Sequence, residues 1–162
     1  MSSGSLKLAT RLSELLMRKQ QKVCTAESCT GGLIAKTLTD LVGSSDWFER
    51  GFVTYSNAAK NEMLGVPASI IDDYGAVSEP VATAMARGAL DHSHADFAVA
   101  VTGVAGPGGG SDEKPVGTVW IAIASTDELI ANWFQFSGDR EAIREATLVT
   151  ALEALIDLVG LD

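Results

Sequence analysis

The chain has 162 residues, enough to bury one good core and too few for two typical domains, so a single domain over 1–162 is expected. Hydrophobic residues make up 46% and charged residues 20%, which excludes a disordered chain, and no apolar run approaches the length of a membrane span. A net charge of −9 argues against a nucleic-acid partner, because neutralising phosphates needs a surface rich in lysine and arginine, but it leaves room for one basic pocket.

In chain order, Leu8, Leu12, Leu15 and Leu16 recur at one-turn spacing and predict an amphipathic helix from Ser5 to Gln20. A short strand, Lys22 to Ala26, runs into the polar turn Glu27-Ser-Cys-Thr-Gly-Gly32, which opens a helix carrying Leu33, Ile34, Leu38 and Leu41. Phe52 to Tyr55 reads as the next strand. Ser56 or Asn57 can cap a helix ended by Gly65 before Pro67, and a further helical turn from Ala68 to Tyr74 stops at Gly75. Ser78-Glu-Pro places a capping hydroxyl, an acid and a proline at the start of a helix that runs to about His92. Phe97 to Val101 is a strand that empties into the glycine loop Thr102 to Ser111. Gly117 to Ser125 and Leu129 to Phe136 form a hairpin about Thr-Asp-Glu, and Arg140 to Val159 closes the chain as a long helix with Leu148, Leu152, Leu155 and Val159 in one stripe. Alternating helices and strands with one late hairpin give a three-layer α/β domain with a mixed sheet.

The glycine loop brings bare backbone N–H groups to the end of a strand, where an anion can reach them. It matches neither a P-loop, for it lacks the lysine and the closing Ser/Thr, nor G-x-G-x-x-G. Ser28 and Thr30 lie at another strand end where a helix begins, a second place that favours an anion or a developing oxyanion. Ligands of open α/β sheets collect at the carboxyl ends of strands, so the two loops suggest one shared pocket.

Between them, Tyr55 at a strand end and Lys60 one turn into a helix could converge, although each also has a plain reading as a sheet aromatic or a solvated lysine. A serine is a poor nucleophile until a base takes its proton, and a desolvated lysine can be that base. Neither G-x-S-x-G nor S-x-x-K occurs. Cys24 and Cys29 lack the spacing of a metal clip or redox pair and read as reduced thiols. His92 and His94 point about 200° apart on a helix, so no shared metal is expected. The polar opening Met-Ser-Ser-Gly-Ser does not read as a signal peptide, and a cytoplasmic location is expected.

Six blocks now stand out: Thr25-Ala-Glu-Ser-Cys-Thr-Gly-Gly32, Gly51-Phe-Val-Thr-Tyr-Ser-Asn57, Gly75-Ala-Val-Ser-Glu-Pro80, Thr102-Gly-Val-Ala-Gly-Pro-Gly-Gly-Gly110, Lys114-Pro-Val-Gly-Thr118 and Ser137-Gly-Asp-Arg140. In their order and over nearly the whole chain they resemble the carboxy-terminal domain of the competence/damage-inducible CinA family. The resemblance implies a three-layer α/β/α sandwich with a mixed, mostly parallel sheet, assembled as a homodimer. Longer members add a domain resembling molybdopterin-binding proteins, which is not expected here.

For the stand-alone domain the resemblance implies an amidohydrolase of pyridine nucleotide salvage. It converts nicotinamide mononucleotide to nicotinate mononucleotide and ammonia, without cofactor or metal. The catalytic positions it implies are Ser45, with Ser44 as the adjacent alternative, Tyr55 and Lys60. Ser45 would attack the carboxamide, Lys60 would accept its proton and Tyr55 would relay or orient it. Ser28, Thr30, Gly31, Gly32, Thr102, Gly103, Gly106, Gly109 and Arg140 would hold the substrate, Arg140 as a cation for its phosphate. A nucleotide-binding regulatory module without catalysis, or an amidohydrolase of another small phosphorylated amide, are the alternatives.

Overall fold

The computed structural model describes residues 3–161. Its elements in chain order are α1 (Ser3–Lys19), β1 (Val23–Glu27), α2 (Leu33–Thr39), a 3-10 turn (Ser44–Asp46), β2 (Phe48–Val53), α3 (Asn57–Leu64), α4 (Ala68–Tyr74), α5 (Glu79–Asp91), β3 (Phe97–Gly103), β4 (Thr118–Ala124), β5 (Leu129–Gln135) and α6 (Arg140–Gly160). None of these helices is long and apolar enough to cross a membrane.

The strands form one sheet in the order β2-β1-β3-β4-β5. β1 is parallel to both of its neighbours, while β4 runs antiparallel between β3 and β5. Only β4 is reversed, so the sheet is mixed with most strands pointing one way. This places the carboxyl ends of β1, β2 and β3 on one rim.

Side chains alternate across a strand, and here the alternation sorts them by size. One face presents Val23, Phe97, Val99, Val101, Val119, Ile121 and Ile123 to helices α1, α2 and α6. The other presents Cys24, Ala26, Ala98, Ala100, Ala122 and Ala124, against which α5 packs with Val81, Ala82, Met85, Ala86 and Ala89. A floor of alanines lets a helix backbone approach closely, and α5 in turn brings α3 close. A Cβ built on Gly88 would lie 2.0 Å from the Leu64 carbonyl oxygen. That crossing fixes the height of α3, and with it Lys60.

The main departures from the sequence reading are at β2 and α2. β2 opens at Phe48 rather than Phe52 and ends at Val53, leaving Tyr55 beyond the strand. Glu49, Arg50 and Gly51 hide the strand's start from a pattern search. An edge strand tolerates them because one side faces solvent, where the Arg50 guanidinium donates to Glu49 and to the His92 carbonyl. That partner holds the Glu49 carboxyl below its ordinary range. α2 stops at Thr39, and Leu41 packs on the core from the following turn. The helix capped by Ser56, whose Oγ accepts from the Ala59 N–H at 3.0 Å, ends as expected on Gly65 at φ 71°.

Gly88→Ala is expected to destabilise the protein by about 2 kcal/mol or more, because overpacking against backbone cannot relax by a rotamer change. Gly160→Ala, where a Cβ meets nothing within 4 Å, should be neutral. Urea unfolding midpoints of the two variants check this.

Candidate active site

Glu27 ends β1 fully buried, and its carboxylate organises the loop that follows. Oε1 accepts from the Thr30 hydroxyl at 2.6 Å and the Ile34 N–H at 2.9 Å, and Oε2 accepts from the Ala35 N–H at 3.0 Å. The residue before α2 is Gly32, which has no side chain to cap the helix. Glu27 therefore supplies the acceptors that the free helix N–H groups require, at the end where the dipole favours negative charge. Gly31 and Gly32 take φ of 57° and 106°, closing the turn in a conformation other residues resist. From the far side Arg144 Nη2 donates to the Thr30 carbonyl at 2.8 Å. The Ser28 N–H donates to the Val101 carbonyl, and Ser28 is thus clamped between β1 and β3.

Lys60 rises from α3 to meet it. The side chain is 1% exposed, and its Nζ lies 3.0 Å from Ser28 Oγ, 3.0 Å from the Thr54 carbonyl and 3.3 Å from the Tyr55 carbonyl. Burial pushes the Lys60 ammonium below its ordinary range, opposed weakly by the Cys29 thiol. Among the described residues no carboxylate forms an ion pair with it. A neutral amine has two N–H bonds and one lone pair. As an ammonium Lys60 donates to all three oxygens; once it loses a proton, the two carbonyls can keep its N–H bonds and the lone pair turns to the Ser28 hydroxyl. Burial also pushes the Cys29 thiol up to about 12, so it stays protonated at neutral pH.

Above this pair lies a cavity of about 300 Å³. Its walls come from the ends of β1 and β3, from Tyr55 and Asn57, and from the glycine loop. The loop's shape demands glycine at Gly106, where φ is 78° and a Cβ would meet Val116 Cγ1 at 2.4 Å. Arg140, in the first turn of α6, donates through Nη1 to the Gly106 carbonyl at 2.8 Å and through Nη2 to the Tyr55 hydroxyl at 3.1 Å. The Thr102 hydroxyl donates to the Ala76 carbonyl at 2.8 Å, and Lys114 Nζ donates to the Tyr74 carbonyl at 2.7 Å, tying the loop to the α4–α5 connection. Among the described residues no aspartate or glutamate lines the cavity, whereas the Arg140 guanidinium does. An anionic ligand is the chemistry such walls accept, in a chain that is otherwise acidic.

Of the residues singled out in the sequence, Ser28, Tyr55, Lys60, Thr102, Gly103, Gly106, Gly109 and Arg140 come together here. Ser45 does not. It lies exposed in the 3-10 turn before β2, as does half-buried Ser44. Because β2 is parallel to β1, that turn sits at the opposite end of the sheet from Ser28. Six residues of strand, roughly 20 Å, intervene. Neither serine can hand a proton to Lys60.

Thr30, Gly31 and Gly32 also stand outside the cavity, since the Thr30 hydroxyl is spent on Glu27 and the glycines shape the turn behind Ser28. Tyr55 touches Lys60 through its backbone carbonyl, while its phenol faces Arg140, which does not suit a proton relay. Sequence reasoning placed none of Glu27, Cys29 and Asn57 in the site. For Glu27 a signal existed: with glycine at the helix entrance, the acid before the turn was a ready capping group.

The architecture and cavity together define a three-layer α/β/α domain with a buried serine–lysine pair beneath a cationic, glycine-walled pocket. The chain belongs to the CinA C-terminal domain family, whose sequence profile matches residues 5–159. A Pseudomonas putida protein named nicotinamide-nucleotide amidohydrolase PncC is 56% identical over 151 residues, covering 93% of this chain and 94% of its own length. The protein of the same name from Escherichia coli (strain K12) is 52% identical over 154 residues, 94% of this chain and 93% of that one. The crystal structure of the competence/damage inducible protein CihA from Agrobacterium tumefaciens superposes with a TM-score of 0.96 at 49% identity, covering 98% of this chain and 97% of that one.

The depressed Lys60 pKa has a consequence for stability. The folded state holds this proton less tightly than the unfolded state, so the Lys60 contribution to stability must rise with pH from the folded pKa up to the unfolded one. Denaturant unfolding of wild type and Lys60→Met between about pH 6 and pH 10 is expected to show wild type gaining stability relative to the variant as pH increases.

Proposed function

We propose that this chain hydrolyses the carboxamide of nicotinamide mononucleotide to give nicotinate mononucleotide and ammonia, with Ser28 as nucleophile and Lys60 as its base. The observation that carries the reading is the buried Lys60 amine, 3.0 Å from Ser28 Oγ at the floor of the cationic cavity. The names of the relatives from Pseudomonas putida and Escherichia coli support the substrate. Assigning the serine to Ser28 replaces the Ser45 expectation.

In this reaction Ser28 Oγ attacks the carboxamide carbon as its proton passes to the Lys60 lone pair. The Cys29 N–H, one residue past the nucleophile, would stabilise the oxyanion. Collapse of the tetrahedral intermediate breaks the C–N bond. The leaving nitrogen takes the proton from Lys60 and departs as ammonia. Water then attacks the Ser28 ester, Lys60 accepting its proton and returning it to Ser28 Oγ as the carboxylate product leaves. A neutral lysine also spares the pyridinium ring a like charge, and the Tyr55 ring at the rim can face that cation. Arg140 would meet the phosphate, exchanging its bond to Gly106 for a charge-assisted one.

Ammonia release from nicotinamide mononucleotide is expected to fall by about 1,000-fold or more in kcat for Ser28→Ala and Lys60→Met, and to be unchanged for Ser45→Ala. Undiminished turnover in Ser28→Ala, or loss in Ser45→Ala, overturns the assignment. Because only neutral Lys60 can act as base, kcat/KM should climb with pH along a limb lying below the ordinary lysine range. Arg140→Ala should raise KM for the mononucleotide about tenfold or more, with a smaller effect on the phosphate-free nucleoside.

A further inference from the structure

Four side-chain polar atoms are buried without a hydrogen-bond partner among the described residues: Gln21 Oε1, Thr25 Oγ1, Thr54 Oγ1 and Arg144 Nε. An unmatched buried donor is costly, most of all on a charged group, and calls for a partner. Arg144 is the only charged residue of the four. It lines a second cavity, of about 590 Å³, between α2 and α6. Arg140 stands between this cavity and the one above Lys60 and Ser28, and lines both.

The walls of the second cavity combine apolar surface with a slight excess of positive charge. Leu33 and Leu148 supply the first. Lys36, Arg140 and Arg144 stand against Glu141 and Glu145, a surplus of one positive charge. Lys36 pairs with Asp40 at 2.7 Å, and Glu145 accepts from the Ser5 hydroxyl of α1 at 2.6 Å. Arg144 remains a cation with a buried donor in reserve.

The same guanidinium reaches the turn that carries Ser28. Its Nη2 donates to the Thr30 carbonyl at 2.8 Å and lies 3.4 Å from the position a Cβ would take on Gly31. A guanidinium is planar and rigid, so a group bound at its Nε edge also fixes the direction of Nη2.

We propose that the α2–α6 cavity is a second binding site, for a small organic monocarboxylate with an apolar body, and that its occupant is sensed at the Ser28 turn through Arg144. The carboxylate accepts from the Arg144 Nε–H in a charge-assisted bond, and the body lies on Leu33 and Leu148. Two glutamates on the same wall suit a ligand of one negative charge and oppose a phosphate ester or a dicarboxylate. Binding here does not depend on which reaction Ser28 performs.

Titration of the isotope-labelled full chain with benzoate, followed by nuclear magnetic resonance, tests the site. Saturable shifts are expected at the Arg144 Nε–H and the Leu33 and Leu148 methyl groups, with a dissociation constant below about 10 mM, and the Thr30 and Gly31 amides should move in step. Arg144→Gln should abolish these shifts. Lys36→Glu, an exposed change that leaves the fold alone, should weaken binding about threefold or more, and Ser28→Ala should bind as wild type. No saturable shift in wild type overturns the proposal, as does binding that neither Arg144→Gln nor Lys36→Glu weakens. Shifts centred on the Asn57 and Gly108 amides put the carboxylate in the other cavity, and equal binding of inorganic phosphate at Arg144 removes the preference for a monocarboxylate; either also overturns it. Shifts confined to the cavity, with Thr30 and Gly31 unmoved, overturn the link to the Ser28 turn.

Discussion

An amine shut away from water without a carboxylate to neutralise it is costly to keep charged, and Lys60 is such a group. Burial shifts its balance toward the neutral form, and the surrounding architecture gives that form a direction. Two backbone carbonyls at the end of β2 take the amine's hydrogens, and the Ser28 hydroxyl stands where the lone pair is left. Neither group could be held so by the segment that carries it. Ser28 is fixed by a turn that Glu27 caps from inside the core, and Lys60 by the packing of α3 on α5.

The size asymmetry of the sheet serves the same constraint. Valine, isoleucine and phenylalanine on one face support α6, whose first turn sends Arg140 over the rim to Tyr55 and the glycine loop. Alanines on the other face admit α5, and behind it α3, close enough for a lysine side chain to reach the end of β1. The two layers contribute opposite walls of one cavity. Its glycines are needed where backbone must pass close to Val116, and Arg140 holds that backbone in place.

Most of the fold was legible in the sequence because local signals were strong and agreed with one another. Ser56 and Gly65 bound α3, Ser78 opens α5, and the leucine stripe of α6 falls where periodicity places it. β2 was the exception, since Glu49-Arg-Gly51 breaks an apolar pattern that an edge strand does not need. That one boundary decided the fate of the serine. With β2 beginning at Phe52, Ser45 could be imagined near Tyr55; with β2 beginning at Phe48, they flank opposite ends of a strand.

The sequence by itself determined that this chain forms one α/β layer structure, that a glycine loop and a serine-bearing turn lie at strand ends, and that its six motif blocks resemble the CinA family. These are properties of neighbouring residues and of their order. Tertiary structure alone decided which serine meets Lys60, that the lysine is buried, and that Glu27 is a structural cap. Proton transfer and desolvation depend on distances between residues far apart in the chain, and strand direction sets those distances.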